Sequence, residues 1–361
     1  MDRRQILIGL HESPGMGWKS VERIIHSGEI EHALDFKMSD WVEKGLSETQ
    51  ASRMATHFTE SWIQERAELH QSKGIHILTI DDENYPTLMK ESIKPAWVLY
   101  AKGKLELLSS MSIAMVGTRI PTAYGKKVAS LLTEDLCARG VTVVSGMARG
   151  IDGVCHEAAL GCQGQTIAVM GTAIDMPYPS EHHGLYKRIA KDGLIVSEYP
   201  SGTASHPGLF PQRNRIIAGL TRGTVVVEAD LRSGSLITAD AAMESNRDVF
   251  AVPGQITSPK SVGTLGLIRQ GAKLITSAQD ILDEYNQADY LCFEERNSTK
   301  KQPELTEQEK HIYHMLEQGS IHFDGLISRT AWDFGLLHSV LLSLIIKKQV
   351  VQLPGSLYKL I

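Results

Sequence analysis

Hydrophobic positions follow two different periods along this chain. Up to about residue 73 they recur at helical spacing, as in Ile6, Leu7, Leu10 and then Val21, Ile24, Ile25. Ser47-Glu48-Thr49-Gln50 has the form of a capping box and opens a further helix. Ile75–Ile80 is a short β run, joined through Tyr85-Pro86 and Pro95 to Val98–Tyr100. From Ile113 the pattern changes. Short, wholly apolar runs (Ile113–Val116, Val141–Val144, Thr166–Met170, Leu194–Ser197, Thr224–Val227, Val249–Val252) alternate with helical segments (Tyr124–Arg139, Asp152–Leu160, Leu185–Asp192, Arg213–Leu220, Ser235–Glu244). Strands without alternation are buried on both faces. Strand, loop and helix in repetition make a doubly wound parallel sheet. Val262–Ile275 is a further apolar run with Gly271-Ala272, and a helix follows through Tyr285.

Polar, mixed-charge residues at about 288–303 read as a linker. Beyond it, Thr306–Glu309 is another capping box, followed by helices to Leu316, over Phe323–Ala331 and over Phe334–Lys347. Val350–Leu353, Pro354-Gly355 and Leu357–Leu360 form a hairpin. Three helices and a hairpin make a winged helix, a fold that reads DNA through its third helix. Here that helix is nearly bare of basic groups before Lys347-Lys348, so a partner-contact or structural role competes with DNA contact. At the other end, Ser13-Pro14-Gly15-Met16-Gly17 resembles a helix-hairpin-helix turn, whose glycine amides contact DNA phosphates; a plain helical turn is the alternative. The expected organisation is an N-terminal helical domain at 1–73, an extended Rossmann-like α/β domain at 74–287, a linker at 288–303 and a winged helix at 304–361.

Composition narrows the class. Over 361 residues a hydrophobic share of 42% supports real cores, and no run approaches a transmembrane span. Met1-Asp2-Arg3-Arg4 leads into an amphipathic segment without a signal-type apolar core. Cys137, Cys155, Cys162 and Cys292 lack disulfide or zinc spacing, and Cys155-His156 with Cys162 reads as buried thiols rather than a metal site. A reducing, cytoplasmic setting is expected. The formal net charge of −5 requires any nucleic-acid contact to use a local basic patch.

Candidate chemistry sits where strands end. Gly117-Thr118-Arg119, Ser145–Asp152 (S-G-M-A-R-G-I-D) with Arg149, Phe210–Leu220 (F-P-Q-R-N-R-I-I-A-G-L), and Ser233-Gly234-Ser235 opening S-G-S-L-I-T-A all follow apolar strands. In doubly wound sheets ligands bind beyond the carboxyl ends of the strands, so these loops converge on one edge. Arginine forks match phosphate oxygens, and Ser and Gly let backbone approach closely. Arg119, Arg213 and Arg215 have no clear acidic neighbours in sequence and are candidate phosphate contacts. Phe210, Tyr178 and Tyr199 are candidate stacking platforms, with packing beside proline as the alternative for each tyrosine. The fingerprint G-x-G-x-x-G is absent, and no paired-carboxylate, Ser-His-Asp or metal-ligand spacing appears. No cofactor is expected.

These stretches, with M-V-G-T-R, Y-P-S-E-H from Tyr178, S-E-Y-P-S-G-T from Ser197, A-V-P-G from Ala251 and S-V-G-T-L-G-L-I-R-Q-G-A from Ser261, resemble the DNA-processing protein A family (DprA, also called Smf). The resemblance covers essentially the whole chain and is densest from Met115 to Ala272. It implies an extended Rossmann-like fold between a helical (SAM-like) N-terminal domain and a winged helix. It implies a homodimer that binds single-stranded DNA and loads the RecA recombinase during natural transformation; the lack of catalytic spacing in the residues makes the expected protein non-enzymatic. The single-strand contacts it implies are Arg119, Ser145-Gly146, Phe210, Arg213, Asn214 and Arg215, and the dimer it implies forms through about Gly254–Ile275. Leu265, Met176-Pro177 and Ala96 depart from the family pattern, and only Leu265 lies near the implied dimer region.

A rival belongs to another class. Related Rossmann-like phosphoribohydrolases cleave nucleotides with a P-G-G-x-G-T motif followed by a catalytic Glu; here Ile237 stands at that place. Asp152, Asp175, Glu198, Glu228 and Asp230 fit better as loop-orienting partners of the arginines. A transcription regulator would account for the winged helix and for none of the four loops.

Overall fold

The computed structural model describes residues 1–285 and 306–360, apart from 318, 331, 348 and 354. The region expected to be the linker lies outside the described residues. The chain divides into two compact units, Met1–Tyr290 and Leu291–Ile361.

In the first unit, five helices come first: α1 (Arg3–Glu12), α2 (Trp18–His26), α3 (Met38–Glu43), α4 (Glu48–His57) and α5 (Glu60–Ser72). The Ser47 capping box is present, with Gln50 as its reciprocal partner. Apolar stripes at helical spacing bury Ile6, Leu7, Leu10, Val21, Ile24 and Trp41 around one core. That core continues into the sheet through Trp97 and Tyr100, so the helical segment shares one unit with it. A buried polar cluster adds to the join. Glu12 accepts from Tyr100 Oη and His70 Nε2, both at 2.8 Å, and from Arg66 Nε at 2.5 Å.

The sheet has nine strands: β1 (His76–Thr79), β2 (Val98–Gly103), β3 (Ser112–Val116), β4 (Thr142–Ser145), β5 (Thr166–Met170), β6 (Leu194–Ser197), β7 (Gly223–Val226), β8 (Asp248–Ala251) and β9 (Lys273–Leu274). Their order is β1-β2-β6-β5-β4-β3-β7-β8-β9. β1 and β2 are antiparallel additions, and every pairing from β6 through β9 is parallel. From β3 the chain runs outward to β6, then returns to β7 on the other side of β3. The order therefore reverses between β3 and β7, and ligands bind at such switch points.

The intervening helices are α6 (Thr87–Lys90), α7 (Ala123–Ala138), α8 (Ile151–Gly161), α9 (His183–Asp192), α10 (Leu209–Gly219), α11 (Gly234–Glu244), α12 (Val262–Arg269) and α13 (Ala278–Leu282). The central strands are buried along their length, which accounts for their apolar runs. One boundary departs from the sequence reading: α10 begins at Leu209, not Arg213. Pro211 falls in its first turn, where a missing N–H breaks no intrahelical bond.

The second unit is a winged helix. It comprises α14 (Glu307–Leu316), β10 (Ile321–His322), α15 (Phe323–Thr330), α16 (Phe334–Ile346), β11 (Val350–Leu353) and β12 (Leu357–Leu360). The wing is a three-stranded sheet in the order β10-β12-β11, and the two-residue β10 is too short to show in the sequence pattern. Glu309 of the Thr306 capping box also reaches α16. It accepts from Ser343 Oγ and Lys347 Nζ, both at 2.7 Å.

Candidate functional site

At the switch point the loops after β3 and β7 are tied by backbone. Thr118 N donates to Glu228 O at 2.8 Å, and Ile151 N to Thr118 O at 3.2 Å. Glu228 accepts from Thr122 N at 2.9 Å and Thr122 Oγ1 at 2.5 Å, which fixes the start of α7. Asp230 and Lys260 pair at 3.3 Å. These ties leave a cleft of about 610 Å³ beyond the strand ends. Gly117, Arg119, Phe210, Arg213, Asn214 and Ser233–Ser235 all line it, so the structure brings together eight of the twelve candidate residues.

α10 decides where the arginines go. In a helix, residues two apart point nearly opposite ways, whereas i, i+3, i+4 and i+7 share a face. Phe210, Arg213, Asn214 and Ile217 face the cleft, and Arg215 does not. Arg213 is only 4% exposed. Its Nη1 donates to Gly146 O at 2.5 Å and to Val169 O, and its Nε donates to Asn214 Oδ1 at 3.1 Å. Asn214 Nδ2 continues to Gly234 O at 3.1 Å, which links α10 to α11. Burial presses the Arg213 guanidinium down to about 10, against the attraction of Asp152; it remains charged at neutral pH. Burial likewise raises Asp152, against the pull of Arg213 and of the Ala148 and Gly146 amides.

The geometry also gives several of the candidate residues partners within the protein. In space, though not in sequence, Arg213 feels the charge of Asp152, and its guanidinium is a buried brace as well as a cleft wall. Arg215 pairs with Glu198 at 2.5 Å. Ser145 is fully buried, its Oγ donating to Met115 O at 2.6 Å. The Gly146 amide is held by Asp152 Oδ2 at 3.2 Å. Neither Ser145 nor Gly146 lines the cleft, and Gly146 serves another purpose: a Cβ there would sit 2.5 Å from the Arg213 guanidinium. Arg149 is exposed but engaged by Glu181, with Nη2 to Oε2 at 3.0 Å, and it too lies off the cleft. Of the five carboxylates expected to partner arginines, Asp152 and Glu198 face one, whereas Asp175 pairs with Lys73 at 2.8 Å.

Arg119 is exposed at the mouth and close enough to Arg213 to depress its proton affinity. Arg232 and Lys260 add positive charge. Four cations thus face two carboxylates, Asp152 and Asp230, around one cleft. Tyr178 and Phe210 form an aromatic pair at its edge, with centroids 5.0 Å apart. Gly171 makes room for that pair, since a Cβ there would meet the Phe210 ring at 2.6 Å. Tyr199 is packed instead, its Oη donating to Leu209 O at 3.3 Å. Lys260 and Arg232 escaped the sequence reading. Lys260 arrives from the loop after β8 and carries no motif, and its signal was only its position beyond a strand end.

Fold and cleft define a doubly wound α/β protein with a cationic, aromatic-edged cleft at its topological switch point. The family model described as DNA recombination-mediator protein A matches residues 76–286, and that of the DprA winged helix domain matches residues 296–356. The chain belongs to the DprA family. It is 45% identical over 216 residues to the DNA processing protein DprA of Bacillus subtilis, a match covering 60% of this chain and 73% of that one. The X-ray structure of DprA from Streptococcus pneumoniae aligns with a TM-score of 0.70 at 35% identity, covering 79% of this chain and 99% of that one. A Helicobacter pylori DNA processing protein A, solved in work on its single-stranded DNA binding mode, aligns with a TM-score of 0.53 at 32% identity, covering 58% and 94%.

Proposed function

We propose that this chain binds single-stranded DNA in the switch-point cleft and acts there as a recombination mediator rather than an enzyme. The observation that carries the reading is the convergence of Arg119, Arg213, Arg232 and Lys260 beside the Tyr178–Phe210 pair. Cations that track phosphates and rings that receive bases are what a sequence-tolerant single-strand site needs. The contacts proposed are Gly117, Arg119, Phe210, Asn214 and Ser233–Ser235, with Arg213 as the charged wall behind them. Gly146 supports that wall through its carbonyl, and Ser145, Arg149 and Arg215 lie outside the cleft. Ile237, at the place of the phosphoribohydrolase carboxylate, lines the cleft with an apolar side chain. Among the described residues no helix is long and apolar enough to cross a membrane.

The matching of a recombination-mediator family supports a RecA-type recombinase as the partner, in natural transformation. We place a homodimer contact at Gly254–Ile275. There β9 is the edge strand of the sheet, and Ile256 and Leu274 are exposed. Sedimentation at micromolar concentration should show a dimer, and Leu274→Arg should shift it towards monomer.

The binding test compares labelled oligo-dT with duplex DNA and with free nucleotides. Oligo-dT should bind most tightly, and Arg119→Ala should weaken it. Preference for free nucleotide, or indifference to Arg119→Ala, would defeat the reading.

A further inference from the structure

We infer that a second cleft, on the other side of α10, receives the continuation of the same DNA strand. This rests on the single-strand reading above and extends it. The cleft, of about 630 Å³, lies between the Ser13–Trp18 turn of the helical segment and the Glu198–Ala204 loop after β6. Gln212 and Arg215 form its wall on α10. The helix is therefore a ridge between two clefts, with Phe210, Arg213 and Asn214 on one flank and Gln212 and Arg215 on the other. A strand that crosses the first turns of α10 leaves one cleft and enters the next.

The lining has the chemistry of the first cleft. Arg66, Lys94 and Arg215 supply positive charge. Its two carboxylates are already engaged, Glu12 by Arg66 and Glu198 by Arg215. Arg215 Nε and Nη1 are buried donors without a hydrogen-bond partner, and a nearby phosphate would lower the cost of burying that charge. Trp18, Trp62 and Tyr199 add aromatic surface. Trp18 is stacked on Trp97 at 5.3 Å, with Lys94 Nζ 5.2 Å from its ring centroid. Gly17, the N-cap of α2, lines the cleft beside Trp18. Cations with tryptophans fit a chain that carries both phosphates and planar bases; an acidic peptide would leave the rings unused.

The test uses the full-length chain with short and long oligo-dT. In wild type the long oligonucleotide should bind more tightly and quench tryptophan fluorescence, and Trp62→Phe should reduce that quench. Lys94→Glu and Gln212→Glu should each weaken long-oligonucleotide binding about tenfold, shrinking its advantage over the short one, at unchanged melting temperature. Each lost phosphate contact should make the salt dependence shallower by about 0.7 in log K against log salt. Long-oligonucleotide affinity unchanged in both charge variants would overturn the inference. So would dTMP quenching as strongly as the long oligonucleotide, since that marks a separate nucleotide site. Arg119→Ala separates the two readings. If it weakens binding while Lys94→Glu and Gln212→Glu do not, only the second cleft falls. If it changes nothing at any length, the first reading falls.

Discussion

Replacing Arg213 by alanine should cost stability first and DNA contact second. The guanidinium is 4% exposed and holds the carbonyls of Gly146 and Val169 together. Its removal also leaves the buried Asp152 carboxylate without its nearest positive charge. Hydrogen bonds from a charged donor contribute about 1.5–3 kcal/mol each, and this variant loses those to Gly146 O, Val169 O and Asn214 Oδ1. Asp152 keeps its bonds to the Gly146 and Ala148 amides, so the loss comes mainly from these hydrogen bonds and is about 3 kcal/mol. A cooperative unit spanning Met1–Tyr290 has an unfolding entropy of about 0.6 kcal/mol/K, and the melting temperature should fall by about 5 °C. Arg119→Ala is the matched contrast. Arg119 is exposed, so its loss should leave melting unchanged and make the salt dependence of oligo-dT binding shallower by about 0.7. Calorimetry and salt titrations on both variants decide the matter. An Arg213→Ala protein that melts with wild type while losing salt dependence would refute the brace and return this residue to direct phosphate contact.

Other outcomes follow from the same geometry. Phe210→Ala should weaken oligo-dT binding about tenfold by removing half of the aromatic pair, measurable by fluorescence anisotropy. Gly146→Ala should lower the melting temperature as Arg213→Ala does, because its Cβ needs the space of the Arg213 guanidinium. In the winged helix, burial raises the Glu309 carboxyl, but Lys347, Ser343 and the Thr306 amide outweigh it and bring it from 4.5 to about 2. The stability it contributes is full above about 4.5 and lost as pH falls towards 2. Acid melts of Glu309→Gln should lack that loss.

The strands were readable because wholly buried strands leave uninterrupted apolar runs, as in Ile113–Val116 and Thr166–Met170. Their convergence was readable too, since parallel strands put all their carboxyl ends on one edge. What the sequence could not show was direction. Arg213 and Arg215 fall in the same helix in the sequence, but which flank of that helix faces the cleft is set by how α10 packs. Nor could it show pairing across distance: Glu181 is 32 residues from Arg149. Ser145 and Gly146 carry the composition of a ligand loop, yet their polar groups are used by Met115 and Asp152. A Ser-Gly turn that braces and one that binds have the same residues.

The position of Asp152 sets what sort of anion this cleft can hold. Its carboxylate lies in the first turn of α8 and takes the Gly146 and Ala148 amides for itself. The preformed backbone cradle that would grip a terminal phosphate is thus filled by the protein's own charge. On the proposed reading, charge for gripping an anion then comes from side chains around the rim, Arg119, Arg232 and Lys260. Such a rim rewards length over identity. A mononucleotide, with its single phosphate group, can satisfy one of those cations, whereas a polymer meets them in succession and can slide from one register to the next without losing its hold.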